Sequence, residues 1–416
     1  MKIFKLVLQR FMNKFLDNPR GVLFFILGGS FLLRLGFLVI MLILKKPAPA
    51  EDEINYFEGG QRLLEQWLHN TDISNFQFLS MDRGYYYYNA FIDYLFGSNM
   101  AWAQFINIIF FVFGSFYFYK MVEVLFESKI ARITLLITSF YPSLIFWSTR
   151  NTKEAISFFL ASVIFYNFIY LFLIQFHMKR LLLLYSFLFV FLSFREYIAS
   201  FLGFLCGASF FFYFLRVPSL KYKKILFFIT IAITSFSIFI LYQYVNDRSK
   251  GMHITQLFHY FSNIRQNSCL GIHQVYPLTD ISSLSSFILF LPKALFLFFM
   301  APVQFLFTRS LTPFEKSILI EIIPWILGLL YFPKGIYISL KGADLNKFLT
   351  LGVIFIFMLT FTLLYSTVNC NLGTLYRFKG ILLPFYFMFM ANGLYHLKSG
   401  TRGFRDSALT FSIHHE

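Results

Sequence analysis

The chain has 416 residues, of which 58% are hydrophobic and 13% charged, and 62 of them are phenylalanine. A soluble domain of this length has no interior large enough for that apolar surface, and uninterrupted apolar runs of about 20 residues recur along it, so a soluble protein is excluded and a polytopic helical membrane protein expected. The runs do not alternate with a period of two, which excludes a porin-type barrel, and the net charge of +16 is distributed by membrane side rather than as a nucleic-acid patch.

Residues 1–20, "MKIFKLVLQRFMNKFLDNPR", are basic and amphipathic and lack the small-residue cleavage site of a signal peptide. They read as a helix lying on the cytoplasmic membrane surface, held by apolar contacts and anionic lipid. Ten spans follow, over 21–44, 99–122, 130–147, 154–176, 180–194, 197–216, 224–244, 316–333, 348–368 and 377–397. The pieces at 84–97 and 284–307 read as interfacial or re-entrant, because Pro292, Lys293 and Pro302 favour a broken helix in the second of them. The expected fold is therefore all-α, one transmembrane domain over 21–397 with interfacial amphipathic helices and a tail at 398–416. Assigning charges at span ends to the side they face, the cytoplasmic parts carry 20 Lys/Arg against 6 Asp/Glu and the external parts 15 against 13. That asymmetry places both termini in the cytoplasm.

Two external segments stand out, about 45–99 and 246–315. The first opens with three adjacent acids, Glu51, Asp52 and Glu53, and continues with an amphipathic helical stripe of Ile54, Phe57, Leu63, Leu64 and Trp67. Three further junctions on the same side carry charge: Arg150, Lys153 and Glu154; Arg195 and Glu196; Arg377 and Lys379. Helix ends ordinarily carry charges, and an exposed ion pair contributes little. Acids and bases gathered at four outward helix ends nevertheless suit one task, in which a carboxylate deprotonates a hydroxyl while Arg and Lys stabilise a phosphate leaving group. No glycine-rich phosphate loop points to a nucleotide. Arg34 and Glu321 lie within spans, where a partner or a cavity is expected for each. Cys206, Cys269 and Cys370 form no CxxC, so a structural metal or a disulfide scaffold is not expected, although Cys269 and Cys370 fall on one side of the membrane. His253, His259 and His273 have no metal-ligand spacing.

Over about residues 20–395, the order of features resembles the GT-C superfamily of integral-membrane glycosyltransferases that use polyprenyl-phosphate-linked sugars. The likeness lies in "AEDEINYFEGG" after the first span, the aromatic "YYYYNAFIDYLFGSNMAWAQFIN", "YPSLIFWSTRNTKEAISFFLA" and "YRFKGILLPFYFMFMANGLYHL". It implies an inverting transfer of sugar to an envelope glycan or lipid acceptor at the outer face of the cell membrane. It also implies a catalytic acid in the first external loop, with Asp52 favoured over Glu53 and Glu51, and a second acid at Glu154. Donor-phosphate contacts fall on Arg150, Lys153, Arg195, Arg377 and Lys379, and Tyr56, Tyr85 and Trp147 are candidates for sugar contact. No cofactor is expected. A divalent metal between Asp52 and Glu154 is chemically conceivable but not predicted, since the bases neutralise phosphate themselves. "FREYIAS" and "LYRFKG" also resemble external arginine positions in polysaccharide repeat-unit polymerases and O-antigen ligases, the alternative reading. A lipid-linked oligosaccharide flippase is the second alternative, disfavoured because the charges gather at one face rather than deep in several spans.

Overall fold

The computed structural model describes residues 19–47, 50–69, 83–216, 230–232, 234–240, 243, 257–269, 281–301, 303 and 313–399. The surface helix expected over 1–20 and the tail from 398 therefore lie almost entirely outside the described residues, as do about half of the 224–244 span and about half of 246–315. The described residues are all-helical, without β-strands. In chain order the helices are α1 (Pro19–Leu44), α2 (Glu51–Leu68), α3 (Arg83–Phe96), α4 (Met100–Leu125), α5 (Ser128–Phe140), α6 (Pro142–Ser148), α7 (Glu154–Leu173), α8 (Met178–Phe194), α9 (Glu196–Arg216), α10 (Leu257–Ser268), α11 (Leu284–Met300), α12 (Pro313–Leu329), α13 (Phe332–Leu340), α14 (Leu345–Val368) and α15 (Leu372–Ser399).

Among the described residues, six helical stretches are long and apolar enough to cross a membrane: α1, α4, α7, α9, α12 running on through α13, and α14. The protein is thus a multi-pass membrane protein. The single span expected over 130–147 is two helices, α5 and α6, bent by 60° at Tyr141–Pro142, because Pro142 has no N–H to continue the ladder and starts α6 at its first turn. Residues 284–300, expected to break at Pro292, form one helix that runs through that proline and ends before Pro302.

Burial follows from the patterning. α1 is apolar all round, yet only Val22, Ile26, Ser30, Arg34, Leu38 and Met41 are enclosed, a stripe at three- and four-residue spacing. Phe24, Leu32 and Ile43 on the other side are exposed, as lipid-facing side chains are. α7 is the central helix, buried from Glu154 to Phe172 on nearly every side. It lies so close to α4 that a Cβ on Gly114 would stand 2.9 Å from the Phe158 ring, which keeps that position to glycine. α2 packs on α3 in the same manner, since a Cβ on Gly60 would meet Asn89 Cβ at 2.6 Å.

Arg34 reaches the α5–α6 bend. Its Nη1 donates to the Ser139 carbonyl at 2.7 Å, a last-turn carbonyl that the bend deprives of a helical donor, and its Nε donates to Ser148 Oγ at 2.8 Å. The guanidinium lies 4.0 Å from the centre of the Phe111 ring. The partner of this intramembrane arginine is therefore a broken helix rather than an acid. Cys269 and Cys370 form a disulfide, Cα to Cα 4.8 Å, across 101 residues of chain. This corrects the expectation drawn from cysteine spacing: the bridge is made by packing of α10 on the α14–α15 turn, which spacing does not encode. Arg265 and Ser268 of α10 secure the same contact by donating to the Thr367 and Val368 carbonyls at 3.0 and 2.9 Å.

Candidate active site

The three acids occupy the first turn of α2, where unpaired N–H groups and the helix dipole favour negative charge. Successive helical residues point about 100° apart, so the three diverge. Glu51 faces solvent, the Asp52 side chain is 52% exposed, and Glu53 is completely enclosed.

Glu53 is wholly committed to structure. One oxygen accepts from Arg150 Nε at 2.6 Å and from the Ala50 N–H at 3.1 Å, and the other accepts the Asn151 N–H at 3.1 Å. Its carboxylate thereby caps its own helix and ties α2 to the loop between α6 and α7. That loop, Thr149 to Lys153, is buried throughout.

Asp52 belongs to a different chain of ion pairs. Arg377, in the second turn of α15, bonds Asp52 Oδ2 through Nη1 and donates from Nε to Glu154 Oε1 at 2.6 Å. Arg195, the single residue between α8 and α9, bonds the same Glu154 oxygen. Glu154 opens α7, where its charge again suits the helix N-terminus. Four chain segments therefore meet as Asp52–Arg377–Glu154–Arg195. Three of these groups are enclosed, and Asp52 forms the accessible edge.

Lys153 completes the set, its ammonium 5.6 Å from the centre of the Tyr56 ring. Burial, and then the charges of Arg195 and Arg377, hold it well below the usual lysine range. Burial pushes the Tyr56 phenol up to about 12, so it remains a protonated hydrogen-bonding group beside the ions. The three carboxylates Asp52, Glu53 and Glu154 are balanced by the guanidiniums of Arg150, Arg195 and Arg377, so an added anion is met by Lys153 taking up a proton, and Arg377 between Asp52 and Glu154 opposes a bridging cation. Among the described residues no group of three or more His, Cys, Asp and Glu is arranged to hold a metal.

Of the residues expected here, Asp52, Glu53, Arg150, Lys153, Glu154, Arg195, Arg377 and Tyr56 are brought together. Glu51 lies outside the ion pairs. Tyr85 is adjacent but fully enclosed, its hydroxyl donated to Asn151 Oδ1 at 2.9 Å, so its ring is scaffold rather than an open stacking face. Trp147 is half-buried and packs on Phe146. Lys379 faces away from the cluster. Its Nζ donates to the Phe298 carbonyl at 3.2 Å and lies 4.3 Å from the centre of the Trp325 ring, in the bundle core near Glu321, which accepts from Ser143.

A set of asparagines not singled out from the sequence supports the loop. Asn151 Nδ2 donates to Asn89 Oδ1 at 2.9 Å, and Asn107 Nδ2 donates to the carbonyls of Arg150 and Thr152 at 2.8 and 3.1 Å. The available signal was an amide within the apolar run "AQFINIIFF", since a polar group inside a span needs partners. A cavity of about 960 Å³ opens between α3, α4, α7, α8 and the start of α9; no residue of the ion cluster lines it, but Phe194 and Glu196, on either side of Arg195 in the chain, do. Its walls are mostly apolar, with Phe110, Phe159 and Phe187 among them, and Arg83 and Glu196 supply charge.

No protein-family model matches the chain, and no curated protein sequence matches it.

Proposed function

We propose that the protein is an inverting glycosyltransferase of GT-C type, moving a sugar from a polyprenyl-phosphate donor to a glycan or lipid acceptor at the outer face of the cell membrane. The observation that carries this reading is the Asp52–Arg377–Glu154–Arg195 chain, one accessible carboxylate set against enclosed guanidiniums. Asp52 takes the proton of the acceptor hydroxyl as its oxygen bonds to the anomeric carbon. The bond from that carbon to the phosphate oxygen breaks, and the departing phosphate is met by Arg377, Arg195 and Lys153. Attack opposite the leaving group inverts the anomeric centre. Glu53 and Arg150 hold the loop and take no proton.

Two features support the setting. The apolar cavity lined by Phe110, Phe159 and Phe187, which reaches the residues flanking Arg195, suits the hydrocarbon of a lipid-linked substrate. The disulfide lies at the same end of α14 and α15 as Arg377, and such bonds persist where the environment is oxidising, which favours an outward-facing site. Ten spans with both termini cytoplasmic is the arrangement that fits the charge asymmetry.

The convergence of Arg195 and Arg377 on one oxygen of Glu154 favours a second reading, a polymerase or ligase acting on diphosphate-linked oligosaccharides, since two guanidiniums match two phosphates. The test of the first reading is the purified Asp52→Asn protein. Sugar transfer falling by about 10² or more, with donor affinity kept, is the expected result. Transfer at the wild-type rate removes Asp52 as the base.

A further inference from the structure

We propose that Asn107, on the membrane-spanning helix α4, is the positioning residue that presets the Arg150–Lys153 loop for an anionic ligand. The inference rests on the functional reading above only for the identity of that anion. Residues 149–153 form a buried connection between α6 and α7 whose backbone supplies part of its own pairing: the Lys153 carbonyl accepts the Ser157 N–H at 2.9 Å as the first bond of α7, and the Arg150 carbonyl accepts the Thr152 N–H at 2.8 Å, to which Asn107 adds a side-chain donor. Asn107 is itself fully buried, and its Nδ2 faces three acceptors: the Arg150 carbonyl at 2.8 Å, the Thr152 carbonyl at 3.1 Å and the Tyr85 hydroxyl at 2.8 Å. Two hydrogens serve three acceptors, so one is shared. Its Oδ1 accepts from the Tyr88 hydroxyl at 3.0 Å, a hydrogen shared with the Ala103 carbonyl at 3.1 Å, and this contact together with the three on Nδ2 sets which way the amide points.

The consequence is directional. The two carbonyls held by Asn107 flank Asn151, whose N–H is donated to Glu53. Clamping both sides of Asn151 sends the Arg150 side chain toward Glu53 and leaves Lys153 over Tyr56. Lys153 there faces Asp52 and Tyr56 of α2, Glu154 of α7, Arg195 from the α8–α9 link and Arg377 of α15. One amide inside the span thus determines where the loop's lysine meets an incoming anion.

The test uses the full-length protein in nanodiscs with ¹³Cε-labelled lysine, the Lys153 signal being assigned with Lys153→Arg. Asn107→Leu keeps the size and removes the clamp; Tyr88→Phe keeps the clamp and removes the hydroxyl that helps to aim it. In the wild type Lys153 is expected to titrate well below the usual lysine range, because it is buried beside Arg195 and Arg377. In Asn107→Leu its titration is expected to move up toward an ordinary lysine, and in Tyr88→Phe to move part of the way. Binding of undecaprenyl phosphate, measured on the same samples, is expected to weaken at least tenfold in Asn107→Leu. Unchanged Lys153 titration in a folded Asn107→Leu, or in Tyr88→Phe should the first variant not fold, overturns the proposal. A displaced titration with no undecaprenyl phosphate bound by wild type leaves the positioning role standing and removes the polyprenyl-phosphate reading.

Discussion

Arg377 stands between Asp52 and Glu154, bonded to Asp52 through Nη1 and donating from Nε to Glu154 at 2.6 Å, so a single guanidinium couples the starts of α2 and α7. A lysine has neither the planar fork nor the second donor direction to make both contacts. Arg377→Lys is therefore expected to lower kcat/KM for sugar transfer by about 10²-fold or more, the scale of removing one preorganised donor at a developing charge. A rate within threefold of wild type would mean that Arg377 only holds helices together.

Glu53 and Glu51 should behave in opposite ways although two residues apart. Glu53→Ala leaves Arg150 enclosed without its acid, a change that costs about 3–5 kcal/mol in a buried pair, so a large fall in Tm is expected. Glu51 faces solvent, and Glu51→Ala is expected to leave Tm unchanged within about 0.5 kcal/mol of stability. Thermal unfolding of the two variants side by side checks this.

Most of the site was legible because each of its charges lies within two turns of a helix end, and a membrane brings such ends to one level. Facing was less legible. Lys379 follows Arg377 by two residues, about 200° around the helix, and so points to Trp325 and Phe298 while Arg377 points to Glu154. Half that rotation, about 100°, separates an accessible Asp52 from an enclosed Glu53. Asn107 was missed because its role lies in backbone carbonyls 43 and 45 residues away, and the Cys269–Cys370 bridge because it joins elements 101 residues apart.

Anion binding should be linked to proton uptake through Lys153. Burial and the adjacent guanidiniums lower its folded-state value, and a bound anion favours the charged form, so binding adds a proton. Affinity is then highest at low pH and declines as pH rises through the lowered value, by at most about tenfold per pH unit. For folding the sign is set by the same shift. Between the lowered value and the ordinary 10.5 the unfolded chain holds more protons, so stability rises with pH in that window. Titration calorimetry with undecaprenyl phosphate in buffers of different ionisation enthalpy should record uptake approaching one proton between those limits. Equal heats in all buffers would exclude the linkage.

The disulfide closes a long loop, for which chain-entropy arguments give about 4–5 kcal/mol in the limit of a free unfolded chain. Cys370→Ser is expected to lower Tm and to raise amide exchange in α10, whose Arg265 and Ser268 bonds to the α14–α15 turn then act alone. Wild-type exchange in α10 after reduction would show that those bonds suffice.

The central claim concerns chemistry at the ion cluster, and one assay tests it most directly. Purified wild-type protein in proteoliposomes is supplied with polyprenyl-monophosphate sugars and, separately, with diphosphate-linked oligosaccharides, and the anomeric configuration of any product is read by NMR. The account predicts transfer from a monophosphate donor with inversion. Retention of configuration, or elongation or translocation of diphosphate-linked oligosaccharides with no transfer from any monophosphate donor, would contradict it.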